Sequence, residues 1–89
     1  MRHHLLMKVS IRYFASLREA LGPGEQAEVA AGATVTVLRD QLLRLSEPHA
    51  RVLSRDRAVR CAINQRMCTE DEVLAEGAEV AFFPPVTGG

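Results

Sequence analysis

The residues of this chain best suited to chemistry stand at its end, in the run Glu79-Val80-Ala81-Phe82-Phe83-Pro84-Pro85-Val86-Thr87-Gly88-Gly89. The run begins as a strand, with β-branched and aromatic residues at a period of two. Pro84 and Pro85 end any strand pairing, because each lacks an N–H and fixes φ. After Val86 and Thr87 come Gly88 and Gly89, which have no side chains and present a bare α-carboxylate. With a pKa of about 3.3–3.7 that carboxylate is ionised at neutral pH, and it is a poor electrophile until an oxygen becomes part of a leaving group. Adenylation by ATP would do this, and a persulfide or thiolate could then displace AMP to leave a C-terminal thiocarboxylate. Glycine suits such a terminus, since without a Cβ the backbone can thread a narrow channel with φ of either sign. The prolines hold the spacer extended and lower the entropy cost of inserting it. The six residues after Phe83, at roughly 3.1 Å each in a polyproline-like form, reach roughly 19 Å from the domain.

Elsewhere the chain offers no convincing active site. There is no Ser/His/Asp set in a supporting motif, no glycine loop for phosphate and no metal-ligand cluster. Cys61 and Cys68 are neither Cys-x-x-Cys nor a zinc knuckle, and read as reduced, partly buried thiols. His49 is a lone histidine beside a proline, and the adjacent His3 and His4 read as exposed. Eleven basic and eleven acidic residues give a formal charge of zero, and only four residues are aromatic. A nucleic-acid binder needs a basic stripe or a stacking platform, and neither is visible. Arg51, Arg55, Arg57 and Arg60 crowd one stretch, as a solvated face or as a docking patch for an acidic partner or phosphate. The apolar runs are too short for a signal peptide or a membrane span, so a cytoplasmic protein is expected.

The tail resembles that of the small subunit of molybdopterin synthase, the MoaD family of ubiquitin-like sulfur carriers. Tyr13-Phe14-Ala15-Ser16-Leu17-Arg18-Glu19 is similar to the end of the family's first strand, Thr34-Val35 to its helix start, and Ala62-Ile63-Asn64-Gln65 to its middle strand and turn. Glu79 to Gly89 matches the terminal signature most closely. Ala78 departs from the family, which usually has an acidic residue there. The resemblance implies a non-catalytic subunit whose Gly89 is the adenylate and thiocarboxylate site, with Gly88, Thr87, Val86, Pro85 and Pro84 as the segment inserted into partners. It implies an E1-like activating enzyme of the MoeB type that consumes ATP, and a sulfur donor such as a cysteine desulfurase or rhodanese-like protein. It further implies a MoaE-like large subunit in a heterotetramer, where the sulfur passes to cyclic pyranopterin monophosphate. No cofactor or metal is expected on the chain itself. Sibling carriers for thiamine synthesis or tRNA thiolation, a ubiquitin-like protein modifier, and a simple interaction module remain open alternatives.

The elements that must position this tail follow from periodicity. Eighty-nine residues leave room for one domain, expected over residues 1–83 with 1–6 as a leader of uncertain status and 84–89 as an extended tail. Met7, a candidate start, Val9, Ile11 and Tyr13 alternate with Lys8, Ser10 and Arg12, which predicts a strand with one face on a core. Ala15 to Leu21 reads as a short helical turn stopped by Gly22-Pro23-Gly24, and Glu25 to Ala30 as a second strand. Thr34 caps the one main helix, whose core stripe is Val35, Leu38, Leu42 and Leu45, with Arg39, Asp40 and Arg44 turned outward. Glu47-Pro48 should end it, leaving His49 to Arg57 as a surface loop over Val52 and Leu53. Val59 to Asn64 and Met67 to Thr69 read as strands around a turn, with Leu74 as a buried anchor and Gly77 in a turn. The pattern alone gives an α+β two-layer domain. The resemblance makes it a β-grasp fold, a mixed sheet of about five strands with the first and last parallel in the middle. Phe83, on the face opposite Val80 and Phe82, is expected to be exposed and to bind a partner.

Overall fold

The computed structural model describes residues 5–85. The chain runs β1 (Leu6–Tyr13), α1 (Ala15–Leu21), β2 (Gly24–Ala30), α2 (Val35–Leu43), α3 (Glu47–Val52), β3 (Arg60–Ile63), β4 (Arg66–Cys68) and β5 (Glu79–Phe83). The strands form one mixed sheet in the order β2-β1-β5-β3-β4, with β5 parallel to β1 and the other neighbours antiparallel. This is the β-grasp arrangement, with the tail-bearing strand at the centre of the sheet.

Alternation decides which face closes. Val9, Ile11 and Tyr13 of β1, Val29 of β2, Cys61 of β3, and Val80 and Phe82 of β5 are buried against Leu17 of α1 and Val35, Leu38 and Leu42 of α2. Ile63 packs on this cluster from a partly buried position, and Leu53 and Leu74 complete it. Tight turns set the registers. Asn64 and Gln65, at φ 50° and 69°, form a two-residue hairpin turn between β3 and β4, the mirror-image type that suits the strand twist. At Gly24 the backbone of β2 passes so close to β1 that an added Cβ would lie 2.2 Å from the Ile11 carbonyl oxygen.

Three sequence expectations about the helical layer need correction. Arg39 is buried, with 4% of its surface exposed, instead of facing solvent. Leu45 is 55% exposed instead of joining the core, because α2 ends at Leu43 and the residue lies past the Arg44 cap, where helical spacing no longer applies. The stretch expected to end the helix at Glu47-Pro48 and continue as a surface loop from His49 instead contains α3. Ser46 caps it by accepting from the His49 N–H at 3.3 Å, and Pro48 sits in the first turn, where its missing N–H costs nothing. The cap at Thr34 is as expected, its hydroxyl accepting from Val37 N–H.

Candidate functional site: the outgoing end of β5 and the open face of the sheet

β5 owes its position to its two neighbours, and both leave it at the same point. Phe82 pairs with Tyr13 of β1 and Cys61 of β3, and Phe83 pairs with Arg60, the first residue of β3. The Phe14 N–H still donates to the Phe82 carbonyl at 3.2 Å. Ala15 then takes φ 55°, and the chain turns into α1. Beyond Phe83 neither neighbour continues, and Pro84 and Pro85 follow, each half-buried. The proline break is therefore matched to the place where the sheet itself runs out. Val86, Thr87, Gly88 and Gly89 lie outside the described residues.

On the face away from the helices, alternation presents Lys8, Ser10 and Arg12 from β1, Glu79, Ala81 and Phe83 from β5, Arg60 and Ala62 from β3, and Met67 from β4. The registers align Arg12, Ala81, Ala62 and Met67 in one row across four strands. Met67 is 58% exposed, and Phe14, beside the tail exit, is 39% exposed. The polar links here are loose. Arg12 meets Glu79 at 3.5 Å with both side chains in contact with solvent, and its guanidinium lies 5.6 Å from the Phe14 ring centroid. Phe83 is half-buried rather than exposed as expected. Its directly opposed neighbour is Arg60, and residues so paired stand close enough for a long arginine stem to lie against a ring.

The arginine stretch divides. Arg51 pairs with Glu47 one helical turn away. Arg55 bonds Asp40, Glu70 and the Thr36 carbonyl. Arg57 and Arg60 form no salt bridge among the described residues, so the four do not act as one set, and of the four Arg60 adjoins the tail exit through its pairing with Phe83.

Sequence reasoning missed two polar groupings. Arg39 donates through Nε to the Leu53 carbonyl, through one terminal nitrogen to Glu70, and through the other to the Ser54 and Arg57 carbonyls. Burial works to raise the Glu70 pKa, but hydrogen bonds from Arg55 and Arg39 outweigh it and hold the carboxyl below its usual range. The signal was present: position 39 falls within the 35, 38, 39, 42 stripe of an amphipathic helix. The second grouping joins Tyr13 Oη and His49 Nε2 to the same Glu25 oxygen, each at 2.7 Å, with Ser46 Oγ 2.7 Å from His49 Nδ1. Burial, with the Glu25 contact, raises the Tyr13 pKa. Ser46 is already the cap of α3, so the set fastens α3 to β1 and β2. Its residues lie far apart in sequence, which left no local motif to read.

Comparison with known proteins can now be set against this geometry. The ThiS family profile matches residues 11–89. The chain belongs to the ThiS family. It is 42% identical over 82 residues to the molybdopterin synthase sulfur carrier subunit of Escherichia coli, covering 91% of this chain and 99% of that protein. Among solved structures it is similar to small archaeal modifier protein 1 of Haloferax volcanii, with a TM-score of 0.68 at 28% identity over 90% of this chain and 99% of that one. It is also similar to a chain in the complex of subunits 1 and 2 of the molybdopterin-converting factor from Helicobacter pylori, with a TM-score of 0.63 at 25% identity over 93% and 100%. The ThiS match includes every tail residue from Phe83 to Gly89. No helix of the described residues is long and apolar enough to cross a membrane.

Proposed function

We propose that this ThiS-family chain is the sulfur carrier subunit of a molybdopterin synthase. The observation that carries the reading is the 42% identity to a protein of that name over nearly the whole of both chains. The exit of β5 at Pro84 and Pro85, where β1 and β3 both stop pairing, supports it. A domain that ends its central strand this way hands a segment to other proteins without disturbing its own sheet. In this reading Gly89 is adenylated by an E1-like enzyme that consumes ATP, and a persulfide-bearing donor displaces AMP. Residues 84–88 carry the thiocarboxylate into a large subunit, which supplies the catalytic groups for sulfur transfer to the pterin precursor. The open face beside the exit, with Phe83 and Ala81 between Arg12 and Arg60 and Met67 at the edge beyond, is the docking surface.

Incubation with ATP, an E1-like adenylating enzyme and a sulfur donor should add about 16 Da to the intact mass, as sulfur replaces the terminal oxygen. An unchanged mass with active enzymes would remove the carrier reading. Phe83→Ala should weaken binding to the large subunit by roughly tenfold or more and, because its ring is half-buried, lower the melting midpoint without unfolding the domain. Unchanged binding would move the docking surface away from the tail exit. The modifier of Haloferax volcanii, similar over 90% of this chain, favours a second reading as a protein modifier. Isopeptide conjugates joining Gly89 to lysines of other proteins would select it.

A further inference from the structure

The two cysteines, which the carrier chemistry does not use, stand face to face. Cys61 on β3 and Cys68 on β4 are direct register partners. Their sulfurs are 3.5 Å apart, with the Cys68 thiol donating to Cys61 Sγ and the Cys61 thiol donating to the Cys68 carbonyl at 3.5 Å. Directly opposed residues of an antiparallel pair have Cα atoms about 4.5–5.5 Å apart, inside the range of about 4.4–6.8 Å that a disulfide spans. The register of the pair therefore suits a bridge. The two thiols also differ in access. Cys61 is 3% exposed, whereas Cys68 is only half-buried and borders a surface cleft with Asn64, Arg66, Met67 and Glu72.

We propose that Cys61 and Cys68 are a reversible redox-modification site, closed to an intramolecular disulfide by low-molecular-weight disulfides of the glutathione class. The Cys68 thiolate attacks one sulfur of the oxidised reagent, forming a mixed disulfide and expelling one reagent thiolate, which is protonated. Cys61 then loses its proton and attacks Cys68 Sγ, expelling the second reagent thiol. Two protein thiols and one reagent disulfide become one protein disulfide and two reagent thiols, so atoms and electrons balance. The asymmetry sets the order of the steps, since only Cys68 is reachable from the cleft and only Cys61 is placed to resolve the intermediate. Burial, with the hydrogen bond to Cys68, pushes the Cys61 thiol up to about 12. Closure should therefore quicken as pH rises through the neutral and mildly alkaline range. The bridge would tie β4 to β3 at the residue that also pairs with Phe82 of β5, stiffening the half of the sheet from which the tail departs.

The test is to incubate the full chain with oxidised glutathione, block free thiols with N-ethylmaleimide, and read intact mass and tryptic peptides. Closure should lower the mass by about 2 Da and abolish maleimide labelling. Because Arg66 lies between the cysteines, trypsin should release two peptides joined through Cys61 and Cys68. Cys61→Ser should stop at the mixed disulfide, about 305 Da heavier. Cys68→Ser should stay unmodified while folded. The bridged wild type should melt roughly 5 °C or more higher, and dithiothreitol should reverse every change. Labelling of both cysteines after oxidant treatment, a stable mixed disulfide in the wild type, or dimers joined between chains would each overturn the proposal.

Discussion

The two faces of the sheet use polar chemistry in opposite ways. On the helix side Arg39 is almost wholly buried and makes hydrogen bonds to three carbonyls and a carboxylate. Among the described residues no buried side-chain nitrogen or oxygen lacks a partner. On the other face Arg12 has one longer ion pair and a ring contact, and apolar side chains meet water. A buried cation is tolerable only when fully partnered, since the desolvation penalty otherwise dominates. An open face has no such requirement. The closed face therefore needs every polar group satisfied, and the open face is free of that demand. The strand that ends in the tail belongs to both.

The largest effect should come from the tail, where fold and chemistry separate most fully. Deleting Gly89 leaves a carboxylate on Gly88 but shortens the reach by roughly 3 Å, and misplacing a reacting atom by about 1 Å can already cost 100-fold in rate. Sulfur loading should fall to background with a wild-type melting curve. Normal loading of this variant would falsify Gly89 as the chemical centre. Arg39→Ala should show the reverse pattern. It strips partners from the Leu53, Ser54 and Arg57 carbonyls and from Glu70, and breaking a buried pair from one side costs about 3–5 kcal/mol. Urea unfolding would measure it. A loss below about 1 kcal/mol, within the range of exposed ion pairs, would erase the distinction between the two faces.

Most of the fold was legible because it rests on period-two alternation and on one amphipathic helix. Val9, Ile11, Val80 and Phe82 point inward as their spacing requires, and Thr34 caps where its hydroxyl can reach a free N–H. Illegible features were those in which charge is buried or a proline starts a helix. Arg39 occupied a core position in the helical stripe, but its type argued for solvent, and its partners are carbonyls fourteen to eighteen positions away. Pro48 read as a terminator, yet Ser46 two residues earlier marks the start of α3. Of the candidate site, the strand into Phe83 and the proline break after it were legible, and residues 86–89 lie outside the described residues. The simultaneous departure of β1 and β3 from β5 was not legible, because it depends on register between distant strands.

A pH measurement sharpens the helix side. The Glu70 carboxyl is held below its usual range in the folded state. A depressed folded pKa contributes stability above the unfolded value of about 4.3, and that contribution is lost as pH falls through the folded value. The stability gap between wild type and Glu70→Gln should therefore be constant near neutrality and shrink on acidification below about pH 4.3. Urea midpoints across that range would read it, and a gap that widens in acid would contradict the Arg39 and Arg55 contacts.

The smallest effect concerns the turn that lets β1 leave β5. Ala15 has φ 55° and is exposed, so its methyl group contributes little packing while its backbone occupies the left-handed region. That conformation costs a residue with a Cβ roughly 1–2 kcal/mol. Glycine would avoid the cost but lose roughly 0.5–1 kcal/mol through the greater freedom of its unfolded chain. Ala15→Gly should thus be neutral to about 1.5 kcal/mol stabilising, from the difference of those two terms. Ala15→Val should be destabilising, because a β-branched residue at positive φ is an outlier. Sulfur loading of both folded variants should match wild type, since neither touches the tail. If Ala15→Gly is destabilising and Ala15→Val neutral, the chain does not turn there through the left-handed region. The point at which β1 releases β5 would then have to be placed elsewhere.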